Sequence, residues 1–306
     1  MNRYLGISTL TIVLLGGPNY LGGQPATNPL FQQTKVKNYL PHMTWSEVEQ
    51  ALTKTDMVII PVGSIEQHGK HLPLCTDICA ATEISKLIAQ KTDVLVAPAV
   101  AVGLSDHHMA FPGTITLSPE TFEAVVFETA QSLIHHGFKK ILIYNGHGGN
   151  NVSVANILQK INQTTPAVAV QLNGMAEPPW QLIASGALDG HAGVGETASM
   201  LYFTPGLVDM TKAENPVLTT SPKVDEVQKH LDEDPHLSRV ISALGGRPES
   251  TGKQTSTRET TSNGVTTKRD LESATAEQGR EQAERFIEAA VKFIETWKSA
   301  SNGGLR

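Results

Sequence analysis

The chain has 306 residues, of which 40% are hydrophobic and 18% charged, an ordinary globular composition with enough apolar content for one large core or two small ones. A formal net charge of −6 argues against a nucleic-acid partner, because no basic face is implied. Two cysteines, Cys75 and Cys79, are too few for a disulfide scaffold, and their C-x-x-x-C spacing reads as small buried thiols rather than zinc thiolates.

Asn2-Arg3 precede an apolar run, 4–15, and then Gly- and Pro-containing sequence up to Ala26. A short basic start, an apolar run too short to span a bilayer and small residues after it read as a secretory signal. The expectation is therefore a signal over 1–26, a linker over 27–43 and export to the periplasm or medium, with no membrane attachment once the signal is removed. If the segment is not a signal, the protein stays in the cytoplasm.

Thr44-Trp45-Ser46-Glu47 has the spacing of a capping box and predicts a helix to about residue 54. The β-branched run 58–62 predicts a buried strand of a parallel sheet, stopped by Gly63. A helix is predicted over 78–90, from apolar residues at helical spacing, and a second buried strand over 94–100. Ser118-Pro119-Glu120 starts another helix, with Ser118 as cap and Pro119 in the first position, and Gly137 closes it. Strands at 141–144 and 167–172 flank a helix at 152–161. This alternation predicts an α/β fold with helices on both faces of a parallel sheet. Residues 216–267 read as a long surface excursion, with a charged amphipathic piece at 224–231 and a Ser/Thr/Gly-rich stretch from 249. A final helix over 273–298 carries an apolar stripe that packs back on the body.

The chemistry-bearing residues sit where predicted strands end, the edge at which open α/β sheets place their sites. Glu66 and His68 follow the first strand, two apart, so in extended chain they point the same way, and Asp77 returns a second carboxylate from the same loop. His147 follows the strand at 141–144, and His191 and Glu196 come from a glycine-rich segment further on. Six ligand-type side chains from separated segments suit two metals better than one. A carboxylate bridging cations about 3.5–4 Å apart is a scaffold for a shared, metal-bridging hydroxide. Asp106, His107 and His108 are the candidates for the substrate rim, with His71 behind or beside the site; His135 and His136 suit the carboxyl end of a helix dipole. No G-x-S-x-G elbow, Walker loop or G-x-G-x-x-G is present.

G-S-I-E-Q-H-G-K-H-L-P-L-C-T-D, F-P-G-T-I-T-L, N-G-H-G-G-N and H-A-G-V-G-E-T, in that order, resemble the creatininase family of metal-dependent amidohydrolases. The resemblance covers about 44–203 and resumes near Gly264-Val265 and the last helix. It implies a three-layer α/β/α sandwich over 44–300, two divalent metals (zinc or manganese, with iron or magnesium as alternatives) and a homo-oligomer, commonly a hexamer. It also implies that Glu66, Asp77 and His147 hold one metal and His68, Asp77 and Glu196 the other, with His191 passing a proton. The family's creatinine-hydrolysing members carry a glutamate where this chain has Gly149, and tryptophans in the segment before H-A-G. Here 185–190 has none and Trp180 lies further upstream. The 267–271 stretch also departs from the family's usual Gly-Asp-Pro. These departures point to an amide other than creatinine, such as a formylated pyrimidine nucleotide, a peptide end or a cyclic amide. Two alternatives stand beside this reading: an exported metal-binding protein of the same fold without catalysis, and a lactone or cyclic-ester hydrolase using the same site.

Overall fold

Alternate residues of the apolar runs point to opposite faces of one sheet, and each face is covered by helices. The computed structural model describes residues 34–172, 189–218, 257–258 and 261–302. The expected signal at 1–26, Trp180, the amphipathic piece at 224–231 and most of the 216–267 excursion lie outside the described residues.

In chain order the elements are α1 (Trp45–Leu52), β1 (Met57–Val62), α2 (Thr76–Lys91), β2 (Leu95–Val96) and α3 (Pro119–His135). β3 (Lys140–Asn145), α4 (Asn151–Thr164), β4 (Val168–Gln171), α5 (Val194–Phe203) and α6 (Ala276–Asn302) follow. Among the described residues the four strands are all parallel, in the order β2-β1-β3-β4. β1 and β3 form the centre, registered from Met57 opposite Lys140 to Val62 opposite Asn145.

Val58, Ile60, Val62, Ile141 and Ile143 face α3 and α4, where Phe122, Val126, Val154 and Ile157 close the layer. Met57, Ile59, Leu142 and Tyr144 face the other way, against Ala81, Ile84 and Ile88 of α2 and Ile287, Ala290 and Ile294 of α6. The result is the expected α/β/α sandwich. Phe122 is fully buried in the first layer, so truncating it to alanine costs about 3–5 kcal/mol.

The caps behave as their sequence signatures require. Thr44 and Glu47 exchange both capping-box hydrogen bonds. The Ser118 hydroxyl accepts from the Thr121 N–H at 3.3 Å, and Gly137 adopts φ +107 behind α3. α6 starts at Ala276 rather than 273 because Thr275 and Gln278 form a second capping box, at 3.0 and 3.2 Å.

The strand expected over 94–100 shrinks to Leu95–Val96. Pro98 has no N–H to continue the ladder. The chain still tracks β1, through the Ala97 N–H to the Ile59 carbonyl at 2.8 Å and the Val100 N–H to the Pro61 carbonyl at 2.9 Å. It therefore delivers residues 101–108 to the same edge at which β1 and β3 end. Among the described residues no helix is long and apolar enough to cross a membrane.

Candidate metal centre

At the carboxyl edge of the sheet five segments converge: the loop after β1, the first turn of α2, the path beyond β2, the loop after β3 and the start of α5. Asp77 sits in that first turn of α2, not in a returning loop as the sequence suggested. There the helix dipole favours its negative charge.

Asp77 is the pivot. Its Oδ1 lies 3.1 Å from His68 Nε2 and its Oδ2 3.0 Å from His147 Nδ1. His68 Nε2 is also 3.5 Å from Glu196 Oε2, and His147 Nδ1 is 3.3 Å from Glu66 Oε1. The outward nitrogens are tethered to backbone: His68 Nδ1 lies 3.2 Å from the Glu66 carbonyl and His147 Nε2 2.9 Å from the Leu104 carbonyl. Since a carbonyl accepts, each tether carries the ring's proton and turns the other nitrogen toward Asp77. Metal-ligating histidines are oriented in this way.

Glu66 and Asp77 are buried, and Glu66 Oε1 and Asp77 Oδ2 face imidazole nitrogens without a well-formed hydrogen bond. The other Glu66 oxygen is taken by the Ser105 hydroxyl at 2.5 Å, itself in contact with Ser64. Two such oxygens in a buried site are costly unless a cation, either a metal ion or the protonated His147 ring that faces both, satisfies them. Carboxylate oxygens interleaved with imidazole nitrogens suit zinc, manganese or iron, so the donor set fits divalent metal. Ligand atoms of Glu66, His68 and Asp77, and separately of His68, His191 and Glu196, lie within 4.8 Å of one another.

The charges tell the same story. Burial opposes protonation of His68, but Asp77 and then Glu196 and Glu66 outweigh it and push its pKa up to about 9. Burial likewise opposes charge on His147, yet Asp77 and Glu66 raise it to about 11. Burial would raise Asp77, but His68 and His147 hold its carboxyl well below the usual range. Glu196 is pushed up to about 7, chiefly by burial, although a part of its side chain remains exposed. Without a cation, two imidazolium rings balance the carboxylates; a metal would displace their protons.

Gln67, which the sequence reading passed over, lies between the two ligands of its own motif and is held from both sides. The Gly69 N–H donates to its Oε1 at 3.0 Å, and its Nε2 donates to the Gly264 carbonyl at 3.0 Å. Gly264 adopts φ +89, and a Cβ there would lie 1.9 Å from Gln67 Oε1. With the amide orientation set, the second Nε2 proton has two ring nitrogens in reach: His191 Nε2 at 2.9 Å is itself a donor to the Gln67 backbone carbonyl, which leaves the proton for His108 Nδ1 at 3.0 Å. His108 therefore carries its proton on Nε2, 3.6 Å from Glu66 Oε1. His191 Nε2 lies 2.6 Å from the Gln67 backbone carbonyl and so must be the donor. That leaves Nδ1 bare, 3.4 Å from Glu66 Oε1. Burial lowers the pKa of His191 to about 3 and that of His108 further still.

All six residues expected to carry the chemistry are thus brought together. Of the expected rim, Asp106 is exposed, His107 is partly exposed, and His108 is only 3% exposed and faces Glu66. His108 lies deeper than a rim because Gln67 holds it there. His71 is buried and braces the loop against α5 through Thr197 at 2.9 Å. Cys75 and Cys79 are free thiols, partly rather than fully buried, with sulfurs 2.7 Å apart.

Two further residues were missed. Asn150 accepts from the Leu104 N–H and donates to the Gly63 carbonyl, both at 3.0 Å, tying three loops together. Asp189 accepts from the Val194 and Gly195 N–H groups at 2.7 and 2.9 Å, capping the helix that carries Glu196. Arg269 and Thr267 hold it from the other side, at 3.1 and 3.0 Å. The signals were there, Asn150 closing N-G-H-G-G-N and Asp189 opening D-G-H-A-G, but neither is a ligand in the obvious sense.

The fold and this cluster define a parallel α/β protein with a buried centre suited to divalent cations. The chain belongs to the creatininase family: the family model described as "Creatininase: Creatinine amidohydrolase" matches residues 41–294. It is 33% identical over 166 residues to a mycofactocin precursor peptide peptidase of Mycolicibacterium smegmatis, across 52% of this chain and 63% of that protein. It is 28% identical over 207 residues to the creatinine amidohydrolase of Pseudomonas putida, across 61% of this chain and 80% of that protein. A solved structure described as "Creatininase Mn" superposes with a TM-score of 0.64 at 23% identity, covering 85% of this chain and 98% of that one, which supports the fold.

Proposed function

We propose that this protein is a metal-dependent hydrolase that cleaves a carbon–nitrogen bond of a small amide other than creatinine. The observation that carries the reading is the pair of buried carboxylate oxygens, Glu66 Oε1 and Asp77 Oδ2, which have no well-formed hydrogen bond and are faced by imidazoles. Glu66, Asp77 and His147 would hold one metal, and His68, Asp77 and Glu196 the other. Bound divalent cations supply Lewis acidity toward a carbonyl and a reactive nucleophile from water near neutral pH.

The chain's own residues do the rest. His191, anchored through Nε2 on the Gln67 carbonyl, presents a bare Nδ1 that can take a proton and pass it to the leaving nitrogen. His108 presents an N–H toward the same space. At Gly149 a Cβ would lie 2.3 Å from the Leu104 carbonyl and 2.4 Å from His147 Nε2, so this centre has no room for the glutamate of the creatinine-hydrolysing members. That, together with a relative named as a peptide peptidase, favours a peptide end or another amide. Export through residues 1–26 and assembly into a homo-oligomer belong to the same proposal and rest on the sequence pattern and the family resemblance.

The test is hydrolysis by zinc- or manganese-loaded protein of a panel of N-formyl amides, cyclic amides and short peptides, with creatinine as control. Turnover of an amide that disappears in Asp77→Ala supports the reading. A protein that takes up metal and cleaves no amide, or cleaves only lactones, refutes it.

A further inference from the structure

We propose that His107 is itself a metal ligand, completing the centre on the side of Glu66 and His147 where position 149 supplies no side chain. This inference rests on the metal-dependent reading above and adds a ligand to it.

A ring nitrogen of His107, a carboxylate oxygen of Glu66 and a ring nitrogen of His147 all lie within 4.8 Å of one another. Three donors so spaced can close on one ion with bonds of about 2.0–2.2 Å after small rotations. The His107 and His147 rings are nearly parallel, 9° apart with centroids at 5.9 Å. His107 Nδ1 is 3.9 Å from Asp106 Oδ1, beyond hydrogen-bonding range, so that carboxylate does not hold the ring away.

Gly149 explains why the donor comes from here. A Cβ at 149 would meet the Leu104 carbonyl and His147 Nε2, and would lie 3.2 Å from His107 Cε1. The His107 imidazole borders the space a side chain at 149 would enter. The segment that carries it is fastened to the centre at three points. Leu104 is bonded through its carbonyl to His147 and through its N–H to Asn150, and Ser105 is bonded to Glu66. The segment thereby carries a His107 ring nitrogen to within 4.8 Å of donor atoms of Glu66 and His147. An imidazole in place of a carboxylate also shifts preference from manganese toward zinc or iron.

The experiment uses the full chain, stripped of metal and titrated with Zn(II) against a chromophoric chelator, with Co(II) absorption as a second readout. His107→Phe keeps the ring volume without a donor, and His107→Glu returns a donor. Wild-type protein should bind about two equivalents. His107→Phe should keep one at unchanged affinity and weaken the other by roughly 100-fold or more, beyond the loss expected for an outer partner. His107→Glu should restore most of it, and the Co(II) band intensity should follow the same order. Should the phenylalanine variant fail to fold, His107→Leu, which also lacks a donor, carries the same expectation. Two equivalents at unchanged affinity in the folded Phe or Leu variant would overturn the proposal while leaving the metal-dependent reading intact. A wild-type protein that takes up no zinc would overturn both.

Discussion

Replacing Gln67 with leucine removes an amide that is bonded to Gly69, His108 and Gly264 and lies 2.9 Å from His191 Nε2, while nearly preserving its volume. Two of its partners, the Gly264 carbonyl and His108 Nδ1, lie on buried residues, whereas Gly69 is half-buried and water can reach its N–H. Each stranded buried partner costs about 1–3 kcal/mol, so Gln67→Leu should lose roughly 2–6 kcal/mol. His191 keeps its anchor, because that bond goes to the backbone carbonyl of residue 67. His108 loses the donor that fixes its tautomer, and metal affinity or turnover should fall by about 10–100-fold, as for other outer partners of metal sites. Urea denaturation of metal-free protein followed by circular dichroism reads the first quantity, and zinc titration the second. Gln67→Glu should be no more stable than Gln67→Leu, because a buried carboxylate oxygen would then face the Gly264 carbonyl and His108 Nδ1, acceptor against acceptor. A loss below about 1 kcal/mol, with zinc affinity unchanged, would show that the amide is not the brace described.

The metal-free protein should lose stability as pH rises. His68 and His147 bind protons more tightly folded, with pKa values pushed up to about 9 and about 11, than at the ordinary 6.5. Their contribution is full below about pH 6.5 and disappears through pH 9 and above; a urea midpoint that climbs between pH 6.5 and 9.5 in chelator would contradict this. Zinc binding at pH 7.5 should release about two protons per chain, one from each of these rings, measurable by calorimetry in buffers of different ionisation enthalpy. Asp77→Ala should lose metal, whereas His191→Ala should retain it and lose most turnover; full metal content in Asp77→Ala removes the bridging role. Gly149→Ala should push His147 off the Leu104 carbonyl and halve zinc stoichiometry, since its Cβ has no space at 2.3–2.4 Å from both. Unaltered stoichiometry there would mean that the loop yields without cost.

Much of the fold could be read from local signals. The β-branched runs at 58–62 and 141–144 became the two central strands, because a strand buried on both faces needs apolar residues throughout. Thr44, Ser118 and Gly137 marked helix ends, because capping is decided within three or four residues. Glu66, His68, Asp77, His147, His191 and Glu196 were visible because few other roles explain such residue types at strand ends.

What the sequence could not reveal are relations between distant segments. That Gln67 is held by Gly264, 197 residues away, depends on how the late loop packs over the early one. That His108 lies inside the centre, and that His107 reaches the space beside Gly149, depends on the chain tracking β1 past Pro98. The place of Asp77 in a helix follows from where α2 docks on the sheet. The amino-acid sequence by itself determined the strands, the caps and the inventory of ligand-type side chains, since these follow from local pattern and chemical type. Only the tertiary structure decided which side chains share an ion, which rings hold a proton and which carbonyls orient them, because distances of about 3 Å between segments are set by sheet register and packing.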